Sequence, residues 1–298
     1  MFHFQSYGLT LRSSILLPGY KHLEFMEALK IDAEIIEGKV SSKGINNPVE
    51  QGLFFQVNPN EIWFNIPNVA RFLVQNGECI IMEPKLGVDE NTLALFLSDP
   101  CLVALLMQRG LFVLTGSVLQ INDTAIAYLG EHCSGKSSIV AALMQQGYSL
   151  MSDGLCVVNQ DGLVFSGPAH IELWEDRIKS LDIPLHGLQN IRPGLKKYRL
   201  PIHESFSTHP LPLKNVYAIN LQKVTLLHSK NLTGSEKINF LQKNIYNKTF
   251  LSGLKKNQLY FNYCARLARQ IQMALVTFNV MEFNTQDMIA CMLESANG

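Results

Sequence analysis

Gly130-Glu131-His132-Cys133-Ser134-Gly135-Lys136-Ser137 is the stretch on which the reading of this chain turns. It fits G-x-x-x-x-G-K-[ST], the phosphate-binding P-loop. Its flanks fit as well. Thr124-Ala125-Ile126-Ala127-Tyr128-Leu129 reads as an apolar strand leading in. After the loop, Ile139, Val140, Leu143 and Met144 fall on one helical face, and Gly147 supplies a C-terminal stop. A strand, a glycine-bounded loop and a helix N-terminus in this order make a site for the phosphates of a nucleotide.

Each residue type has a task in that chemistry. Gly130 and Gly135 let the backbone curl so that successive N–H groups point inward. The helix starting near Lys136 adds its positive end. Lys136 can reach the β- and γ-phosphates, and the Ser137 hydroxyl can ligate Mg²⁺. The expected nucleotide-binding set is Gly130, Glu131, His132, Cys133, Ser134, Gly135, Lys136, Ser137 and Ser138. A cysteine phosphatase loop is excluded, because the residue six after Cys133 is Ile139 and not the required arginine. Cys133 then reads as a bystander whose thiol pKa a helix N-terminus would lower, and His132 as a solvent-facing tip.

The chain has 298 residues, 47% of them hydrophobic and 17% charged, which argues for packed cores and against disorder. Lys and Arg number 25, as do Asp and Glu, so no global basic field points to nucleic acid. The six cysteines show no C-x-x-C spacing and the eight histidines no metal-ligand spacing, so reduced thiols in a cytoplasmic protein are expected. No signal peptide is expected, since Arg12 interrupts the first twenty residues. The apolar region 93–114 is broken by Asp99-Pro100 and Arg109-Gly110, short of the roughly 20 unbroken residues of a membrane helix.

The first hundred residues read as short strands, among them 53–57, 61–66, 71–75 and 78–82, with Asn76-Gly77 as a two-residue hairpin signal. Helices follow near 91–96 and 100–108, and a domain boundary is placed at 109/110. Beyond it, 111–118 and 124–129 read as strands joined at Ile121-Asn122-Asp123. After the P-loop helix comes a strand that ends in Asp153, and then a hairpin over 155–165. Hairpins at that point imply a mixed sheet, because a wholly parallel one would need a crossover helix there. Residues 172–181 read as helical. The Pro-rich stretch 184–212 reads as a long connection carrying Arg192, Lys196, Lys197 and Arg199. A strand at 214–221, helices at 237–251 and 257–272, a strand at 274–281 and a short helix capped by Asn284 or Thr285 complete the chain.

Taken in order, these residues resemble the HPr kinase/phosphorylase-like family, closest to the serine-kinase-like branch that includes kinases of lasso-peptide biosynthesis. The resemblance is carried by Tyr7-Gly8-Leu9-Thr10-Leu11-Arg12-Ser13, Arg71-Phe72-Leu73-Val74, Gln108-Arg109-Gly110-Leu111, the loop 130–138, the segment 147–153, Gly167-Pro168, Leu173-Trp174 and Pro212-Leu213. It implies an α/β fold: a P-loop kinase domain with a mixed β-sheet, of the HPr kinase and PEP-carboxykinase type, over 110–298, preceded by a small β-rich α+β domain over 1–109. It also implies transfer of the γ-phosphoryl group of ATP or GTP, with Mg²⁺, to a serine or similar hydroxyl of a peptide or protein. Lys136 and Asp153 would then be catalytic, and Ser137 and Asp153 would face the metal. Nucleic acid and membrane are not expected as partners; a homo-oligomer stays open.

The chain departs from the family at two positions. Gly154 stands where a second acid is common, and Thr115, in Leu114-Thr115-Gly116-Ser117, stands where many members have histidine. Asp153 before a glycine also fits an ordinary turn. A nucleotide-binding regulatory or scaffold protein with weak turnover, or a small-molecule kinase, therefore stay as alternative readings. Glu172 could supply a second carboxylate, which the sequence alone does not place.

Overall fold

A computed structural model describes residues 1–24, 29–131, 134–192, 194–222, 228–279, 286 and 290. The chain forms two compact units. The first comprises Met1–Val113, Ile191–Leu195 and Tyr246–Tyr260; the second comprises Leu114–Asn190, Lys196–Ile245 and Phe261–Gly298.

The strands of the first unit are β1 (Phe2–Ser6), β2 (Leu9–Ser13), β3 (Lys21–His22), β4 (Ala33–Glu37), β5 (Glu50–Gln51), β6 (Phe55–Val57), β7 (Glu61–Ile66), β8 (Ala70–Gln75) and β9 (Cys79–Pro84). They form one sheet in the order β3-β1-β2-β4-β9-β8-β7-β6-β5. Period-two patterning makes these strands. In β8, Ala70, Phe72 and Val74 are buried, while Arg71, Leu73 and Gln75 are more open. Asn76 and Gly77 both take positive φ (54° and 69°), as the two-residue turn between β8 and β9 requires. Helices α1 (Glu90–Phe96) and α2 (Leu102–Gln108) follow, and residues 102–107 of α2 are at most 1% exposed. By length and composition Glu90–Gln108 could cross a membrane; here α2 is a core helix packed on β8 and β9.

The second unit carries most of β10 (Phe112–Ile121), then β11 (Thr124–Leu129), α3 (Lys136–Gln145), β12 (Ser149–Ser152), β13 (Leu155–Val158) and β14 (Leu163–Phe165). Next come β15 (His170–Trp174), α4 (Glu175–Ser180), β16 (Gln189–Asn190), β17 (Lys197–Pro201), β18 (Leu211–Gln222) and β19 (His228–Asn231). Helices α5 (Gly234–Lys243), α6 (Thr249–Gly253, in the first unit) and α7 (Asn257–Gln270) lead to β20 (Gln272–Asn279). An eight-stranded sheet has the order β11-β10-β13-β14-β18-β20-β19, with β12 on β10 and β11 also on β18. β18 runs parallel to β11 and β20, whereas β10 is antiparallel to β11. The fold is therefore mixed α/β, with antiparallel strands beside the strand that enters the loop.

Three expectations are corrected. Residues 170–174 form β15, not the start of a helix, because Ile171 and Leu173 are buried at period two; α4 begins only at Glu175. The stretch 184–212 is not a structureless connection. It contributes β16 and β17, which join β15 in a three-stranded sheet of order β15-β17-β16. The helix expected near 237–251 is split into α5 and α6, and α5 starts at a capping box of Thr233 and Glu236. The final helix with its cap at Asn284 or Thr285 lies outside the described residues.

β10 and β11 approach so closely that Gly116 has no room for a side chain. A Cβ there would lie 2.4 Å from Leu129 Cδ2 and 2.8 Å from the Tyr128 carbonyl oxygen. The oxygen belongs to backbone paired in the sheet and cannot move aside. Gly116→Ala is expected to destabilise the second unit by about 1–3 kcal/mol. Denaturant unfolding followed by far-UV circular dichroism checks this; an unchanged midpoint would contradict the close approach.

Candidate functional site

The loop leaves β11 and enters α3. At Gly130 an added Cβ would meet the Ile219 carbonyl oxygen at 2.7 Å and Ser134 Oγ at 3.0 Å, so glycine alone lets the loop lie against the backbone of β18. The Ser134 N–H donates to the Glu131 carbonyl (3.2 Å) and closes the turn. Gly135, at φ +84°, is the N-cap of α3, a left-handed conformation that favours glycine. Lys136 is buried. Its Nζ donates to the carbonyls of Gly130 (2.9 Å) and Glu131 (2.5 Å) and to Ser134 Oγ (3.1 Å). These neutral acceptors hold the ammonium in the loop, where phosphate oxygens would compete for it.

In the first turn of the helix, the Ser137 hydroxyl donates to Asp153 Oδ1 at 2.9 Å. The buried Ser117 hydroxyl, from β10, donates to the same oxygen at 2.5 Å. The Glu172 N–H, from β15, donates to Oδ2 at 3.1 Å. Asp153 lies in the tight turn between β12 and β13. Gly154 completes that turn at φ +86°, and its carbonyl accepts the Gly116 N–H at 3.0 Å. The carboxylate therefore ties α3, β10 and β15 together. Burial pushes its pKa up; the Ser117, Glu172 and Ser137 donors pull it down, and the charge of Glu172 adds to the rise. The net direction is upward.

Glu172 sits opposite Arg199, and Trp174 opposite Lys197, in the β15–β17 register. Ile171 and Leu173 face the core that packs under α3, so Glu172, Lys197 and Arg199 share the other face. Lys197 Nζ is 2.7 Å from Glu172 Oε2, and Arg199 Nη2 is 3.7 Å from Oε1. Burial pushes the Glu172 carboxyl up, but the charge and hydrogen bond of Lys197, with His170 and Arg199, outweigh it and hold it below the ordinary glutamate value.

The structure thus brings Ser137 and Asp153 into contact, and it holds the Lys136 ammonium on the loop carbonyls of Gly130 and Glu131. Gly130, Ser134 and Gly135 shape the loop, Glu131 is exposed, and Ser138 is buried on α3. His132 and Cys133 lie outside the described residues. Thr115 is half-buried, and its N–H is taken by the Asn244 carbonyl at 2.8 Å. Among the described residues no group of three or more His, Cys, Asp or Glu forms a metal site. Mg²⁺ does not need one, since it takes one or two carboxylates and completes its shell with phosphates and water. Ser137 Oγ and the Asp153 carboxylate are hard oxygen donors in contact, and the carboxylate is desolvated among neutral donors. That donor set fits Mg²⁺. Ser117 was not visible as a site residue, since its partner lies 36 residues on; only its place at a β-strand period from Thr115 hints at it.

No protein-family model matches the chain, and no curated protein does. Among solved structures, the Hpr(Ser) kinase/phosphatase from Coxiella burnetii is similar with a TM-score of 0.32 and 12% sequence identity, over 62% of this chain and 90% of that one.

Asp153 carries a pH signature with a definite sign. Its folded pKa is raised above the unfolded value, so its contribution to stability is fully present below the unfolded pKa and is lost as pH rises through the folded one. Asp153→Asn removes that loss, and the amide can be accommodated because the Ser117 and Ser137 hydroxyls can turn to accept. The variant is expected to be more stable than the parent at pH 7, with the gap closing as pH falls below the ordinary aspartate range. Unfolding titrations at several pH values check this; a variant less stable at pH 7 than at acid pH, relative to the parent, would contradict it.

Proposed function

We propose that this protein binds a Mg²⁺-nucleotide, ATP or GTP, at the P-loop and transfers its terminal phosphoryl group to a serine or similar hydroxyl of a peptide or protein. The observation that carries the reading is the contact of Ser137 with Asp153 beside a buried Lys136. The order strand, glycine loop, helix and acid-ending strand supports it, as does the resemblance to HPr kinase/phosphorylase-like proteins carried by the loop and the segment 147–153. The same resemblance suggests the division at 109/110 into a β-rich and a kinase domain. The free thiols of Cys79, Cys101, Cys156 and Cys264 suit a reducing, cytoplasmic setting.

In this reading the loop N–H groups and Lys136 hold the phosphates. Ser137 and Asp153 would hold Mg²⁺, which when bound neutralises charge on the phosphate oxygens. Asp153 would orient the acceptor hydroxyl or take its proton, and its raised proton affinity suits that task. A second reading is a regulatory nucleotide binder with weak turnover. Gly154 favours it, because it leaves Asp153 without an adjacent acid. Its φ of +86° also means that Gly154→Asp would strain the turn, so an added acid there is not a benign restoration.

Two measurements test the reading. Mg²⁺-ATP at a hundred times its Kd should add about 2.7 kcal/mol of apparent stability by mass action, and Lys136→Ala should lose most of that shift. Equal stabilisation of both proteins would contradict the loop assignment. With an accepted hydroxyl substrate and saturating nucleotide, Asp153→Asn should lower kcat by at least about a hundredfold. Turnover as fast as the parent's would contradict the assignment of Asp153.

A further inference from the structure

Arg199 is an anomaly for a merely structural residue. Its side chain is only 9% exposed, and its charge partner, Glu172 Oε1, lies at 3.7 Å, outside hydrogen-bond reach. Its Nε is buried with no hydrogen-bond partner. A guanidinium taken this far out of water ordinarily fills its donors, because burial of an unpaired polar group is costly. A strut between β15 and β17 would use a close, forked bond to the carboxylate. Here Lys197 takes the short contact to Glu172 at 2.7 Å, and Arg199 is left with a long one.

The place of this pair matters. Glu172 presents its main-chain N–H to Asp153 Oδ2 and its side chain to Lys197 and Arg199. The two cations therefore stand one glutamate side chain away from the contact between Asp153 and Ser137. Phosphates arriving there meet two carboxylates, Asp153 and Glu172, and need positive charge on that side as well as from Lys136. Arginine is the residue suited to a tetrahedral oxyanion, through its planar fork of donors. Lys197, with 26% of its side chain exposed, has room to swing from Glu172 to another anion.

Resting on the nucleotide-binding reading above, we infer that Lys197 and Arg199 form a second oxyanion site, which takes the terminal phosphate of the bound nucleotide while Glu172 holds the pair in place beforehand. No bond is made or broken at this pair; it binds charge. This differs from the sequence-level expectation of a basic loop, because these residues lie in a strand that is tied to Asp153.

The test compares Mg²⁺-ADP with the non-hydrolysable Mg²⁺-AMPPNP in equilibrium binding to the full chain. Arg199→Gln should weaken AMPPNP binding about ten- to a hundredfold, the worth of a charge-assisted contact, and leave ADP binding within about twofold. Lys197→Gln, at a more open position, should weaken AMPPNP selectively in the same direction and carries the test if Arg199→Gln does not fold. Lys136→Ala should weaken both nucleotides. Unchanged AMPPNP binding in folded Arg199→Gln and in Lys197→Gln overturns this inference and leaves the loop assignment standing. Equal losses for ADP and AMPPNP also overturn it. A parent protein that binds neither nucleotide overturns the loop assignment and this inference together.

Discussion

Three elements of the second unit converge on one carboxylate. Asp153 receives hydroxyls from Ser137 and Ser117 on one oxygen and the Glu172 amide on the other. Those donors come from the helix after the loop, from the long strand beside the loop strand and from the small three-stranded sheet. The carboxylate costs stability where it stands, since burial favours its neutral form. Buried carboxylates that are costly to fold around and held by several donors cluster at functional sites, and this is what motivates the proposed role of Asp153.

Around that point the charges are graded. Lys136 lies among neutral carbonyls and a hydroxyl in the loop. Glu172 lies between Lys197 and Arg199 and stays ionised despite burial. Two carboxylates of opposite tendency thus stand side by side, one pushed toward its neutral form by desolvation and the other held charged by cations. In the proposed reading such a pairing would give an incoming phosphate a basic wall on one side and a proton-accepting group beside it.

How much of this is readable from the chain follows from the range of each signal. The loop is readable because a glycine at φ +84° and a lysine beside it are fixed by neighbours within a few residues. The Asn76-Gly77 turn and the antiparallel strands around Asn122 are readable for the same reason. β15 is not, because it is five residues long with only Ile171 and Leu173 buried, and the acids Glu175 and Asp176 of the next helix follow at once. β16 and β17 depend on pairing with that hidden strand, so their prolines and cations imitate a loop. Ser117 depends on the register of β10 against the turn at 153–154, a long-range contact that no local pattern encodes.

In the proposed reading the loop and Asp153 together would form a Mg²⁺-nucleotide site. The most direct measurement is a calorimetric titration of the protein with ADP, once with Mg²⁺ and once with a chelator in its place. Saturable one-to-one binding at least about tenfold tighter with Mg²⁺ is expected, because the metal would be shared between phosphate oxygens and the Ser137–Asp153 pair. Absence of saturable binding, or an affinity indifferent to Mg²⁺, would contradict it.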